Sequence, residues 1–349
     1  MSFRSLGSFA SARLLAGVFV WCIALGSLGG LGGCALVIPQ TEGLYAAKPA
    51  DLPELVELKE VPFFPQDDYQ CGPAALATVL ANFKPGITPE QLVGQVYLPG
   101  RQGSLQVEML AATRRHGMVA YPLAPRFDSV LREVAAGSPV IVLQDYGVWP
   151  VSVWHYAVVI GYDYPRMEAI MRSGENRRLI IPFGILEYTW KESDYWAMVA
   201  LPPDKLPVTA TETTYVASVI ALERTGNSRA ASIAYATALG RWPENIAATA
   251  GLANAHHALG ELDKAEMVLR RGVEQHATSV ILLNNLAQTL SDLGRHAEAL
   301  SFIDRATALG GNLAEAVKET RELIVKRLST PALLREPMTK QAPGLRKRQ

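Results

Sequence analysis

The alternation of apolar and polar residues divides the chain into three stretches with different rhythms. The first is a continuous apolar run, Leu14 to Leu28, preceded by Arg4 and Arg13 and followed by no charge until Glu42. The second, from about residue 51 to 205, begins helical and turns to strands. Pro73 followed by Ala74, Ala75, Leu76, Ala77, Val79 and Leu80 predicts a helix starting just after Cys71. Proline suits the first helical position because its missing N–H has no partner there anyway. Thr88-Pro89-Glu90 marks another helix start, and helices of about 104–116 and 128–136 are closed by Gly117 and Gly137. Strand-like runs follow: Pro139 to Leu143, Trp154 to Gly161, Ala169 to Arg172 after a turn at Tyr164–Met167, Leu179 to Ile181, and Tyr195 to Leu201. Helices first and strands second, with close neighbours pairing, predict an α+β domain on an antiparallel sheet.

The third stretch is periodic. Pro202, Pro203 and Pro207 with the threonines Thr209 and Thr211 mark a linker, 206–211. Beyond it Gly226, Gly260 and Gly294 recur every 34 residues, each followed by Ala231, Ala265 or Ala299 and then by Tyr235, Leu269 or Ile303. Small residues where two helices touch and a large apolar one a turn later resemble the tetratricopeptide repeat. Three units over 212–313 are enough for an all-α solenoid. Residues 314–349 read as a capping helix fraying into a basic tail.

The opening stretch has the form of a targeting segment, a positive region before an apolar one. Leu31-Gly32-Gly33-Cys34 resembles the bacterial lipobox, which implies a signal peptide of 1–33 and a lipid on the Cys34 sulfur. About 20 apolar residues would also serve as an uncleaved membrane anchor. Either way the rest is exported and tethered; Ala35 after the lipid cysteine points to the periplasmic face of an outer membrane. Residues 34–50, with Pro39 and Pro49, read as the tether. Of the three cysteines, Cys22 leaves with the leader and Cys34 becomes a thioether, so Cys71 is the one thiol left in an oxidising compartment. A net charge of 0 gives no sign of nucleic acid. No His/Cys pair has metal-ligand spacing and no glycine-rich phosphate loop follows the leader, so neither metal nor cofactor is expected.

Cys71 at a helix N-terminus sits where unpaired N–H groups and the macrodipole favour a thiolate, and Gly72 leaves room for a substrate backbone. A thiol needs a base. Of the six histidines, His256, His257, His276 and His296 fall in the repeats, and His116 closes a helix beside Arg114 and Arg115. His155, opening a buried strand, remains. Gln66, four residues, Cys71-Gly72-Pro73-Ala74-Ala75-Leu76, then His155-Tyr156-Ala157-Val158-Val159-Ile160-Gly161, resembles the C39-like cysteine peptidases, the bacteriocin-processing group. The whole resembles bacterial lipoproteins joining such a papain-like domain to tetratricopeptide repeats. The resemblance implies Cys71 as nucleophile, His155 as base and Gln66 as an oxyanion-hole donor. It also implies an aspartate, in an Asp-Pro pair, orienting the imidazole; here the region reads Met171-Arg172-Ser173-Gly174. Asp163 lies roughly 26 Å along the strand, so Ser173 is the candidate orienter and Asp145 a second. The expectation is a membrane-tethered cysteine peptidase acting on a peptide or protein, with a protein partner on the repeats. Two alternatives stay open: an inactive peptidase-fold binding module, and acyl transfer to an amine by the same Cys–His pair.

Overall fold

The computed structural model describes residues 37–66, 70–148 and 150–329. The leader, the lipidation candidate Cys34 and the basic tail lie outside the described residues. The residues expected to form a loose tether do not behave as one. Pro39–Ala46 is a helix, α1, docked on the first domain. The N–H groups of Gln40 and Thr41 donate to the Glu187 carboxylate at 2.9 and 2.6 Å, and the Tyr164 hydroxyl donates to Leu44 O at 2.7 Å. These bonds satisfy donors that a helix start otherwise leaves unpaired.

The first domain centres on a seven-stranded antiparallel sheet. Its strands are β1 (Leu55–Glu57), β4 (Val119–Pro122), β5 (Val140–Asp145), β6 (Trp154–Asp163), β7 (Glu168–Ser173), β8 (Asn176–Pro182) and β9 (Ala197–Leu201), a two-stranded hairpin of β2 (Tyr97–Leu98) and β3 (Gly103–Ser104) standing apart. The order is β4–β9–β5–β6–β7–β8, with β1 added along β6. Gly161 permits that addition, since a Cβ there would lie 2.4 Å from Val56 O. Alternation gives the sheet two apolar faces. Ile141, Leu143, Tyr156, Val158, Ile170 and Met198 meet α2 (Cys71–Phe83), α3 (Pro89–Val96) and α4 (Gln106–Arg115). Val140, Val142, Ala157, Val159, Met171 and Val199 meet α5 (Phe127–Ala135), α6 (Phe183–Trp190) and the start of the repeats.

Three helix pairs follow: α7 (Glu212–Glu223) with α8 (Ser228–Arg241), α9 (Ile246–Ala258) with α10 (Leu262–Gln275), and α11 (Val280–Asp292) with α12 (His296–Leu309). Gly226, Gly260 and Gly294 turn each pair at φ of +80°, +74° and +81°, a conformation glycine adopts without steric cost. Helix α13 (Ala314–Ser329) buries Val317 and Ile324 against the last pair. The linker is tied down. Buried Glu133 accepts from Thr209 N and Oγ1 at 2.8 and 2.6 Å, and Tyr121 packs its ring on Tyr215. Tyr215 and Tyr235 of the first helix pair share a core with the sheet.

Candidate active site

Helix α2 is buried throughout residues 71–81. Its small residues Ala74, Ala75 and Ala77 let the backbone approach the sheet, which places its first residue at the sheet's margin. Strand β7 ends at Ser173, so beyond that point β6 loses its partner on that side. The N-terminus of α2 meets this edge, where the backbone N–H of Tyr156 donates to the Cys71 sulfur. Cys71 is a free, buried thiol. It opens onto a groove of about 670 Å³ walled by the β2–β3 hairpin (Arg101 to Ser104), by Ser152 to Trp154, and by Glu192 and Asp194. Gly72 was expected to make room for substrate. Instead it admits Ser104, whose Oγ would lie 2.2 Å from a Cβ at that position.

His155 shares its strand parity with Ala157 and Val159, so its imidazole leaves the sheet on the side away from α2. Continuing the β6–β7 register from Val158 opposite Arg172 places Ser173 opposite Ala157, one pleat from His155. His155 Nε2 lies 2.9 Å from Ser173 Oγ. Tyr146 stacks on the imidazole, ring centroids 5.0 Å apart at 24°, and its hydroxyl donates to Gln144 Oε1 at 3.1 Å. Tyr146, His155 and Ser173 thus form one cluster, and no hydrogen bond joins the Cys71 sulfur to the imidazole. Such bonds are often long in unliganded sites.

Gln66 is placed differently. It lines a small cavity with Ala74, Ala75, Tyr156, Ser173 and Gly174, while the Cys71 groove lies on the other side of Tyr156. Asp145 does not approach the imidazole: its Oδ1 accepts from Gly147 N at 2.8 Å and Val153 N at 2.7 Å, closing the loop before His155. Burial opposes the charge of Asp145, yet those N–H groups and Ser152 hold its carboxyl below the usual range. Asp163 pairs with Glu168 at the far end of β6.

Burial governs the two reacting groups. It pushes the Cys71 thiol up, against the N–H groups of Tyr156 and Gly72 that pull it down. This reverses the expectation from the helix terminus: the buried sulfur loses more hydration than the terminal dipoles return. Burial likewise pushes the His155 imidazole down to about 4. At neutral pH both groups are uncharged.

A free cysteine at a helix start and a histidine on a strand of an antiparallel sheet are the elements of a cysteine-peptidase type of fold. Residues 58–171 match the family described as Peptidase_C39 like family, a span that holds Gln66, Cys71 and His155 and stops short of Ser173. Residues 226–282 and 281–309 match tetratricopeptide repeat models. The chain therefore carries a C39-like peptidase domain followed by tetratricopeptide repeats. No curated protein matches it. Similar solved structures include a putative C39-like peptidase from Bacillus anthracis, 18% identical, covering 43% of this chain and 98% of that one at a TM-score of 0.36. The Yersinia enterocolitica type III secretion translocator chaperone SycD is 19% identical over 34% of this chain and 96% of its own, at a TM-score of 0.32. The TPR2B domain of yeast Sti1, solved in complex with an Hsp70 peptide, is 16% identical over 33% and 94%, at 0.31.

Gln144 and Tyr146 were not singled out from sequence. Gln144 and Tyr146 continue the alternation of Val140 and Val142 on one strand face, and that polar continuation was the available signal.

Proposed function

We propose that the chain is an exported, membrane-tethered cysteine peptidase whose repeats hold a protein or peptide partner. The observation that carries this reading is the one free thiol of the described residues, Cys71, at the first turn of α2 and opening onto a groove. In the reaction His155 Nδ1 takes the thiol proton as the Cys71 sulfur attacks a peptide carbonyl carbon. The carbonyl π pair moves onto oxygen, where the Cys71 N–H stabilises the charge; Gln66, in its separate cavity, would have to cross Tyr156 to join it. Collapse breaks the C–N bond, the imidazolium proton goes to the leaving amine, and water hydrolyses the thioester with His155 again as base. Ser173 orients the imidazole in place of a carboxylate.

A peptide library incubated with the full chain and read by mass spectrometry tests this. Cleavage products that vanish in Cys71→Ala support the reading; products that persist in Cys71→Ala, or none at all, count against it. The second reading, a binding module without turnover, is favoured by the uncharged state of both groups. It predicts that library peptides are retained without being cut.

Tethering rests on Leu31-Gly32-Gly33-Cys34. Intact mass of the protein from membranes should show cleavage before Cys34 and added lipid, with outer-membrane fractionation; an unprocessed N-terminus indicates an anchor instead. The partner assignment draws on a groove of about 240 Å³ between α9 and α11, lined by Asn254, His257, Asn284, Asn285 and Gln288. Side-chain amides both donate and accept, which suits the backbone of an extended peptide.

A further inference from the structure

The loop from Asp145 to Trp154 is closed on itself and carries an apolar tip. Asp145 Oδ1 accepts from Gly147 N and Val153 N, Tyr146 N donates to Val153 O at 2.9 Å, and Val151 N donates to Val148 O at 2.9 Å. These backbone groups are paired with one another, and the side chains turn outward. Val148 is 82% and Val151 65% exposed, with Val153 and Trp154 exposed behind them. A loop held in a form that shows apolar side chains to water gains no burial from doing so, which marks a contact surface. Gln144, at the foot of the loop, donates to Thr189 Oγ1 of α6 at 2.7 Å. Beside Thr189, one turn apart on α6, Ile185 and Tyr188 are exposed as well. Lys191 Nζ sits 4.5 Å from the Tyr188 ring centroid and 3.4 Å from the carbonyl oxygen of exposed Val37. Ile38 packs so closely on α6 that a Cβ at Gly184 would lie 2.8 Å from its Cδ1. The apolar patch therefore runs from Val37 along α6 to the loop.

What covers the patch follows from chain length. Val37 stands three positions after Cys34, so full extension separates the two by about 11 Å at most. Helix α1 is bonded to Glu187 of α6 at 2.9 and 2.6 Å, which leaves no slack between the tether and the domain. A bilayer held by a lipid on Cys34, or by an uncleaved span before it, lies within reach of α6. We propose that the patch of Val37, Ile185, Tyr188, Val148 and Val151 sits in the surface of the bilayer that anchors the chain. The inference depends on the tether reading, in either of its two forms, and not on peptidase activity. Tyr188 and Lys191 suit the headgroup level, where an amphipathic ring and an ammonium each keep one end wet. Lys191 lies 3.9 Å from Glu192, so these groups carry no net charge, and apolar burial rather than attraction to anionic lipid drives the contact. Ser152 to Trp154 also wall the Cys71 groove, which brings the mouth of that groove beside the lipid.

The test is photolabelling of the full chain in vesicles of phosphatidylethanolamine and phosphatidylglycerol that carry a diazirine on one acyl chain, read by mass spectrometry of the peptides. Label is expected on 146–154 and on 183–191, equally at low and high salt. Val148→Ser combined with Val151→Ser keeps the backbone bonds of the loop, so label on 146–154 should fall about tenfold while that on 183–191 stays. Unchanged label on 146–154 in this variant overturns the inference, because proximity alone then accounts for the signal. Label confined to residues before 37 overturns it and leaves the tether standing; the patch then belongs to a protein, a second copy of the chain or a peptide. A chain that neither binds the vesicles nor takes label removes both readings. Label on both segments with no lipid on Cys34 by intact mass supports the patch and assigns the tether to an uncleaved span.

Discussion

His155 and His257 are both hydrogen-bonded through Nε2, but to opposite kinds of partner. In the repeats His257 Nε2 lies 2.8 Å from the Asp292 carboxylate, with Arg327 and Gln288 on the same acid, and the His257 side chain is 41% exposed. In the first domain His155 is buried and meets a serine hydroxyl and a phenol ring. In the repeats the Asp292 carboxylate loses hydration by burial but is held charged by Gln288, His257 and Arg327, so it gives His257 a charged partner. At a buried edge the same carboxylate would itself lose hydration, and without it the imidazole stays neutral. The site thus gives its histidine a positioned but uncharged partner, whereas the repeat histidine has a carboxylate partner.

The largest contrast is expected in activity. His155→Ala should lower Cys71-dependent peptide cleavage roughly 10²–10⁴-fold, the range for loss of a general base, while His257→Ala should alter what the repeat groove retains without a loss of that size in the cleavage of short library peptides. Equal losses would erase the distinction.

Stability against acid is the next contrast. The folded His155 imidazole is depressed to about 4 from an ordinary 6.5, so the unfolded chain binds the proton more readily. Its contribution is therefore fully present above pH 6.5 and lost as the pH falls toward 4, up to about 3 kcal/mol in all. Urea unfolding at pH 7 and pH 4.5 should show a smaller loss in His155→Gln than in the parent. Last and smallest, His257→Gln should cost no more than about 1 kcal/mol, and less at high salt, as for other partly exposed pairs.

Much of this architecture is legible in the sequence because local signals and packing agree. Cys71-Gly72-Pro73 announces the helix start, and the glycine spacing announces the helix pairs. What escapes has no local signal. Helix α1 carries almost no apolar stripe and is held by Glu187, a residue 146 positions away from Thr41. Helix α6 lies in a stretch whose apolar residues do not distinguish helix from strand. The side of the sheet to which His155 points depends on strand register, and alternation alone does not tell which face receives α2. Tyr146, 45% exposed in a loop with glycine and proline, looks like loop filler until Gln144 and the His155 ring are seen beside it. The direction of the Cys71 shift escaped for a related reason: a helix terminus is visible in sequence, whereas the burial that outweighs it is tertiary.

The most direct test of the uncharged Cys71–His155 pair is the rate of Cys71 alkylation against pH, followed peptide by peptide in the full chain and in His155→Ala. The account predicts a rate that rises only in the alkaline limb, above the range of an ordinary thiol, with no plateau at pH 5–6 and little change in that profile when the imidazole is removed. A low-pH plateau that disappears in His155→Ala would reveal a thiolate–imidazolium pair at rest and contradict it.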